Sequence, residues 1–283
     1  MIDGLKCLAL SFLAIFFSST LALALQVEVS PGELFPGDPF IIKVSGVDAS
    51  QRIAASIGGK GIPFSSCGED CVIGIGVVDP DTKPGDHFVS TQFGPQQQLS
   101  TTLSVKKAEY PEQHLKLPEK QVTLSLEDLE RTKKEAEKLK ELWLLTTERL
   151  FRGGFIIPLP NPVSTVYGAR RIFNDKTISI HGGIDIKGSQ GEEVRASNRG
   201  RIVLAENLFF GGNTVVIDHG LGIYTIYMHL DRFKTLHGQI VSKGDVIGFV
   251  GSSGRSTGPH LHFGAKIMAV NANPLSLTKL KLE

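Results

Sequence analysis

Short runs of alternating apolar and polar residues dominate the chain and predict a mainly β protein. In the first third these runs cover residues 26–30, 40–45, 71–78 and 99–105, and Pro-Gly pairs separate several of them. Short strands at this spacing, punctuated by turn residues, are typical of a small antiparallel sandwich. We therefore expect residues 25–107 to form a β-sandwich-like accessory domain. It contains no catalytic constellation, and its one histidine, His87, is expected at the surface.

The pattern changes between residues 108 and 150. The stretch from Ala108 to Thr123 is polar and contains Pro111 and Pro118, which predicts a linker. A helix is then expected to begin after Ser125, whose side chain can cap the free amides of the first turn. Its apolar positions form a narrow stripe with charged residues around it, which predicts a solvated helix rather than a coiled coil: Leu129, Ala136, Leu139, Leu142 and Trp143.

From Phe151 onward the strand-and-turn pattern returns. Strands are expected over residues 193–204, 214–218, 223–229, 245–250 and 260–268, with a hairpin turn at 218–222. This pattern predicts an open antiparallel sheet over residues 151–283. The glycine-rich stretch 251–258 lacks the Gly-Lys-Ser/Thr ending of a phosphate loop and precedes a strand, so we expect it to approach an extended peptide instead.

Composition narrows the class of protein. The chain has 283 residues, enough for two domains, and a net charge of +1, which gives no sign of a nucleic-acid groove. The first 24 residues predict an export signal: Lys6 gives a positive start, an apolar core follows, and Ala22-Leu-Ala24 resembles a cleavage site. An uncleaved membrane anchor is the alternative. Either way we expect an exported, periplasmic or cell-envelope protein.

The cysteines agree with export. Cys7 lies in the predicted signal, and only Cys67 and Cys71 remain beyond it. A closely spaced pair in an oxidising compartment predicts a disulfide.

Two short segments carry the candidate chemistry: His181-Gly-Gly-Ile-Asp185 and His260-Leu-His262. Side chains alternate along a strand, so His260 and His262 should face one side. Three nitrogen and oxygen ligands would leave a zinc ion one open position, which is the catalytic pattern. A lone His-x-His is more often an exposed polar face, but two such segments in glycine-rich surroundings favour a metal site.

A third segment, Tyr224-Thr-Ile-Tyr-Met-His229, adds a further histidine. In a regular strand, Thr225, Tyr227 and His229 would share one face. By itself His229 would be interpreted as a surface residue.

Residues 155–274 resemble the catalytic domain of the lysostaphin-type (LytM-like) zinc metallopeptidases, which cut peptide cross-links in bacterial cell walls. The matching motifs, in the same order and spacing, are His181-Gly-Gly-Ile-Asp185, Gly200-Arg-Ile-Val, the segment from Gly212 to Gly220, Tyr227-Met-His229-Leu, Gly244-Asp-Val-Ile-Gly248, and the segment from Gly254 to Phe263.

The resemblance implies Zn²⁺ on His181, Asp185 and His262, with His229 and His260 as catalytic partners. Members of this family often carry a tyrosine shortly before the first zinc histidine. Here that stretch, residues 174–180, has none. Tyr167 and Tyr227 are the remaining candidates for a substrate-stabilising tyrosine.

The function implied by the resemblance is hydrolysis of peptidoglycan peptide stems and cross-links. With a predicted export signal, we expect the D-Ala to diaminopimelate cross-link as substrate, ahead of a Gly-Gly bridge. Two non-enzymatic alternatives stay open: an activator of cell-wall amidases, and a wall-binding protein with structural zinc. The sequence does not indicate an oligomeric state.

Overall fold

The computed structural model describes residues 25–47, 52–95, 97–116, 123–175 and 177–282. The signal or anchor predicted for residues 1–24 lies outside these ranges. Within them, neither helix is long and apolar enough to cross a lipid bilayer. Two β-rich regions follow one another along the chain, with one long helix between them.

The N-terminal region is built from nine strands. They are β1 Gln26–Ser30, β2 Glu33–Leu34, β3 Pro39–Ser45, β4 Ile53–Ile57, β5 Lys60–Ile62, β6 Phe64–Gly68, β7 Cys71–Val77, β8 Gly85–Phe93 and β9 Gln97–Val105. One sheet has the order β1-β3-β7-β6 and the other β2-β9-β8-β4-β5. Phe40 and Ile42 of the first sheet share a buried core with Val89 and Leu103 of the second. The predicted small sandwich is therefore confirmed.

The Cys67–Cys71 disulfide, predicted from the paired cysteines, is present at the β6–β7 hairpin. Nearly all strand pairs of the sandwich are antiparallel, but β2 pairs with β9 in parallel.

The connecting segment differs in part from the predicted linker. Residues Glu112–Leu115 form β10, which pairs in parallel with β12, Arg170–Phe173. This strand is short and mostly exposed, so its sequence carries no apolar signal that could have marked it. The helix α1 spans Leu126–Trp143, and the side chain of Ser125 accepts a hydrogen bond from the Asp128 amide. The predicted helix and its cap are therefore confirmed.

The C-terminal region is an antiparallel sheet with short additions. Besides β12, its elements are β11 Val163–Thr165, β13 Thr177–Ile180, β14 Gly183–Lys187, β15 Glu193–Arg195, β16 Gly200–Leu208, β17 Gly212–Asp218, β18 Ile223–Phe233, β19 Ile240–Val241, β20 Val246–Val250, β21 His260–Ile267, β22 Val270–Ala272 and α2 Pro274–Leu277. The central order is β11-β14-β21-β18-β17-β16-β19. The overall class, mainly β with a connecting helix, is as predicted.

One predicted strand, residues 193–204, is in fact two. The chain leaves β15 after Arg195 and enters β16 at Gly200. Between them Asn198 is fully buried and its side-chain amide donates to the carbonyls of Gly153 and Gly154. These two hydrogen bonds connect Asn198 to a loop outside the sheet. The chain around Asn198 therefore leaves the strand-to-strand hydrogen bonding of the sheet.

The two faces of this sheet are covered differently. On the back face, Leu261 and Phe263 pack into the main core with Tyr227 and Val215. Farther along the same face, an apolar cluster joins both regions, since Ile41 and Ile75 of the sandwich are buried with Ile223 and Ile267 of the sheet. On the opposite face, a smaller cluster is covered by one side of α1.

Candidate metal centre

Three neighbouring strands bring all five sequence-predicted site residues to one face of the sheet. Strand β21 lies between β14 and β18, and Asp185 of β14 is the direct register partner of His262. His181 lies in the two-residue connection between β13 and β14. His229 lies on β18, where the adjacent Met228 is also paired with His262. The two sequence segments therefore converge through strand pairing.

The three predicted ligands form a tight cluster. His181 Nε2 lies 2.9 Å from His262 Nδ1 and 3.0 Å from Asp185 Oδ1, and the third side of the triangle is 2.9 Å. Among the described residues these three form the group that could hold a metal ion. Two imidazole nitrogens and one carboxylate oxygen suit zinc, and in a tetrahedral site with bonds near 2.0–2.1 Å such ligands would lie about 3.3 Å apart. A shift of a few tenths of an ångström would therefore fit the ion.

Gly183 allows this close packing of β14 against β21. A Cβ at this position would lie 2.4 Å from the carbonyl oxygen of Phe263 and 2.9 Å from His262 Nε2. Any larger residue would push the His262 ring away from its neighbours.

The Asp185 carboxylate stays ionised despite its burial. Burial alone would raise its pKa, but the adjacent imidazoles of His181 and His262 outweigh burial and hold the pKa well below its usual range. Its other oxygen pairs with the guanidinium of Arg171. No motif in the sequence pointed to Arg171, which comes from β12 and is brought to the site only by the tertiary fold.

His181 is oriented by a backbone carbonyl. Its Nδ1 lies 2.9 Å from the oxygen of Val166, and a carbonyl can only accept, so Nδ1 carries the proton. The lone pair of Nε2 then points toward His262 and Asp185. Such an outer contact is the usual way in which proteins fix a metal-binding histidine.

His260 and His229 form a pair beside the cluster, with ring centroids 4.8 Å apart. Each donates from Nδ1 to a carbonyl, His260 to Gly258 and His229 to Ser253, at 2.8 and 2.9 Å. In both rings Nε2 is therefore left as the acceptor. His260 Nε2 lies 3.8 Å from Asp185 Oδ1, within reach of anything bound at the cluster.

His229 does not share a face with Thr225 and Tyr227, so that prediction is wrong. The hydroxyls of Thr225 and Tyr227 hydrogen-bond each other at 2.9 Å inside the fold. Between Tyr227 and Leu230, β18 has one more residue than its partner β17, which is a β-bulge. His229 occupies the bulge with a φ of 64°, and this reverses the alternation and turns its ring to the site face.

Burial shapes the pKa values of these histidines. Burial, followed by the neighbouring His262 and His260, lowers the pKa of His229 to about 3. Burial also lowers the pKa of His262. Away from the site, His219 is fully buried between Arg199 O and the Thr225 hydroxyl, and burial lowers its pKa to about 4.

Neither candidate tyrosine reaches the groove. The Tyr227 hydroxyl accepts from the Ser197 amide deep in the core. The Tyr167 hydroxyl donates to the carbonyl of Asn271 and its ring packs against Gly37 of the sandwich. The sequence-based suggestion of a substrate-stabilising role for these two residues is therefore wrong.

The five residues lie in a groove of about 650 Å³, whose walls come from three parts of the chain. The loop 255–259 forms one wall, and its expected approach to a bound peptide stays a prediction. Residues of β10 and α1, including Leu115, Glu135 and Leu139, contribute another. This second wall was missed because the sequence predicts a linker followed by a solvated helix over residues 108–150, and neither indicates a contact with the sheet.

Three comparisons place the C-terminal region among known proteins. Residues 179–274 match the model of Peptidase family M23. The chain is 44% identical over 128 residues to the DD-carboxypeptidase/endopeptidase Mpg of Neisseria meningitidis serogroup B, a match covering 44% of this chain and 30% of that protein. It is 38% identical over 117 residues to the peptidoglycan DD-endopeptidase ShyA of Vibrio cholerae, covering 39% of this chain and 27% of ShyA. The matches thus span less than a third of these relatives.

The fold also has a solved counterpart. A crystal structure of a protein assigned to peptidase M23 from Pseudomonas aeruginosa superposes with a TM-score of 0.67 at 23% identity, and covers 86% of this chain and 94% of that one. The similarity therefore extends to the sandwich and helix as an arrangement of elements.

Proposed function

Since residues 179–274 match the model of Peptidase family M23, we propose that this chain is a zinc-dependent endopeptidase that hydrolyses peptide cross-links of bacterial peptidoglycan, at the bond between D-Ala and diaminopimelate. One observation carries the proposal. A three-ligand cluster and two histidines with free Nε2 atoms share one open groove. The names of the relatives, which act on DD bonds, support the substrate.

His181, Asp185 and His262 would hold the zinc ion. Bound there, zinc would polarise the scissile carbonyl and lower the pKa of a bound water to about 7. A structural zinc site is normally closed by four protein ligands, whereas the cluster among the described residues has three. Arg171 contacts the Asp185 oxygen that faces away from the two histidines and so keeps the carboxylate in one orientation.

The two remaining histidines would assist the chemistry, one of them by transferring protons. Each Nδ1–H is held by a carbonyl, so each Nε2 is left as an acceptor, and one of the two would take a proton from the attacking water. The same nitrogen can then deliver that proton to the amine that leaves. His260 Nε2 lies 3.8 Å from Asp185 Oδ1 and the His229 ring centroid lies 6.1 Å from that of His262, so both would lie beside a group bound at the cluster.

The cellular location follows from the substrate. Peptidoglycan lies outside the cytoplasm, so the protein would act in the periplasm or elsewhere in the cell envelope. The Cys67–Cys71 disulfide supports an oxidising compartment.

Incubation of purified sacculi with the zinc-loaded protein, followed by muropeptide chromatography, tests the proposal. We expect cross-linked dimers to be converted to monomers, and His260→Ala protein with full zinc content to serve as the inactive control. Intact dimers, together with faster cleavage by an added amidase, would instead identify an amidase activator. Release of glycine-terminated fragments from a Gly-bridged wall would shift the substrate to the Gly-Gly bond.

A further inference from the structure

A positively charged side chain in the groove has no role in the chemistry described so far. Arg255 is half-buried in the wall next to the histidine pair. Its guanidinium carbon lies 4.6 Å from the ring centroid of Phe173 and 4.2 Å from that of Phe210. Its backbone amide donates to the Phe210 carbonyl. The rings and the backbone bond hold the side chain in one place.

The guanidinium of Arg255 differs from the other cations near the site in having no anionic partner within the ranges that the structure describes. Arg171 is paired with Asp185, and Arg170 with Glu112. Lys187 lines the groove but is exposed, so water solvates its charge. Burial and the nearby charge of Arg171 lower the pKa of Arg255, which reflects the cost of this unpaired charge. An anion that enters the groove would relieve that cost.

The position of Arg255 relative to the histidines indicates which part of a substrate it would meet. The next residue, Ser256, has its hydroxyl 3.4 Å from His260 Nδ1. Phe210, against which Arg255 stacks, precedes Gly211, whose carbonyl accepts from the backbone amide of His229. Arg255 is therefore anchored to the two segments that carry the proton-transferring histidines. In the proposed mechanism a histidine returns the proton to the amine that leaves, so Arg255 would lie beside the leaving half of the substrate.

We propose that Arg255 binds a free carboxylate on the carbon attached to the scissile nitrogen, and that this contact restricts the enzyme to substrates with such a group. The inference rests on the proposed peptidase function. In the D-Ala to diaminopimelate cross-link, the carbon next to the cleaved nitrogen carries a carboxylate, and the same holds for the terminal D-Ala of an uncross-linked stem. A Gly-Gly bond within a bridge has no such charge. The planar guanidinium matches a carboxylate with two parallel hydrogen bonds.

The test compares substrates that differ only at this carboxylate. Wild-type protein loaded with zinc is given the D-Ala to diaminopimelate cross-linked dimer and the same dimer with the neighbouring carboxylate converted to the amide. Since a hydrogen bond to a charged group contributes about 1.5–3 kcal/mol, we expect kcat/KM to favour the acid by roughly 10- to 150-fold. In Arg255→Gln, kcat/KM for the acid should fall by this factor, while kcat/KM for the amide should change little. Arg255→Lys should retain part of the preference for the acid.

Two further variants assign the effect to this residue. Arg232 also stacks on a phenylalanine, with its guanidinium carbon 3.9 Å from the Phe249 ring, but it is exposed and does not line the groove. Arg232→Gln should keep the full preference for the acid. Lys187→Gln should keep it as well, and loss of the preference in that variant would overturn the assignment to Arg255.

The outcomes separate this inference from the proposed function. Equal losses of Arg255→Gln on acid and amide would overturn the carboxylate contact while leaving the peptidase function intact. If wild-type protein cleaves neither dimer, the proposed function fails. Calorimetry can then measure the binding of the two intact dimers to zinc-loaded His260→Ala protein, which tests the contact between Arg255 and the carboxylate without any cleavage. Equal affinities for the acid and the amide would contradict this contact.

Discussion

The two faces of strand β21 show how one short segment serves chemistry and stability at once. His260 and His262 point into the groove, while Leu261 and Phe263 are fully buried in the core behind it. The back face gains free energy from apolar burial, about 1.5–3 kcal/mol for each large side chain. The groove face gains none and instead buries polar groups that need specific partners. We therefore expect substitutions on the groove face to lower zinc binding or hydrolysis, and substitutions on the back face to lower the free energy of unfolding.

The largest effect is expected at a predicted metal ligand on the groove face. His262→Ala removes one of three ligands and leaves His181 and Asp185 without their common neighbour. We expect zinc content to fall far below one equivalent, and hydrolysis to fall further than in His260→Ala or any variant of the back face. Metal analysis and muropeptide release on one preparation check this. Stoichiometric zinc in His262→Ala would remove His262 from the ligand set.

The next largest effect should separate metal binding from proton transfer on the same face. His260→Ala leaves all three predicted ligands in place, so zinc should remain near one equivalent. Turnover should fall by roughly 10²–10⁴-fold, the usual range for a lost general acid–base. The same pair of measurements applies, and full activity in a zinc-loaded His260→Ala protein would exclude it from catalysis.

The back face should give the opposite result. Phe263→Ala creates a cavity beside Tyr227, whose ring centroid lies 5.4 Å away, and should lower the free energy of unfolding by about 3–5 kcal/mol. At low temperature the folded protein should still bind zinc and turn over within about threefold of the wild-type rate. Urea unfolding provides the stability, and Phe263→Leu, which preserves most of the volume, provides the matched control with a loss below about 1.5 kcal/mol. Lost zinc in folded Phe263→Ala would show that the faces are coupled.

A smaller effect, on pH dependence, comes from a histidine that lies away from the groove. The pKa of buried His219 is lowered to about 4, so the unfolded chain binds a proton more readily between that value and about 6.5. Stability is therefore full above pH 6.5 and falls as the pH drops toward 4, by about 2 kcal/mol at pH 5. His219→Gln should reduce this slope in unfolding experiments across that range. An unchanged slope would contradict the burial of a neutral imidazole.

Local patterns were sufficient for most of the elements and for the shared face of His260 and His262. Alternation along β21 separated His260 and His262 from Leu261, and the cap at Ser125 predicted where α1 begins. These features depend on residues close in sequence, for which strand geometry and capping give direct rules.

Features that depend on distant residues could not be predicted. Arg171 reaches Asp185 because β12 folds beside the sheet, and α1 forms a wall of the groove because Trp143 packs edge-on against Tyr224 with ring centroids 5.2 Å apart. The bulge in β18 depends on a mismatch in length between two paired strands. The register in which two strands pair cannot be predicted from the sequence of one of them.

The bulge at His229 also limits how this position can vary between homologous chains. A φ of 64° is costly for most side chains, by about 1–2 kcal/mol, but is accepted by glycine and is more frequent for asparagine, aspartate and histidine. A library of all residues at 229, selected only for a folded product, should be enriched in those four types. Selection for wall hydrolysis should then retain histidine alone, because it is the one member of that set whose imidazole can donate to the Ser253 carbonyl and keep a second ring nitrogen as an acceptor.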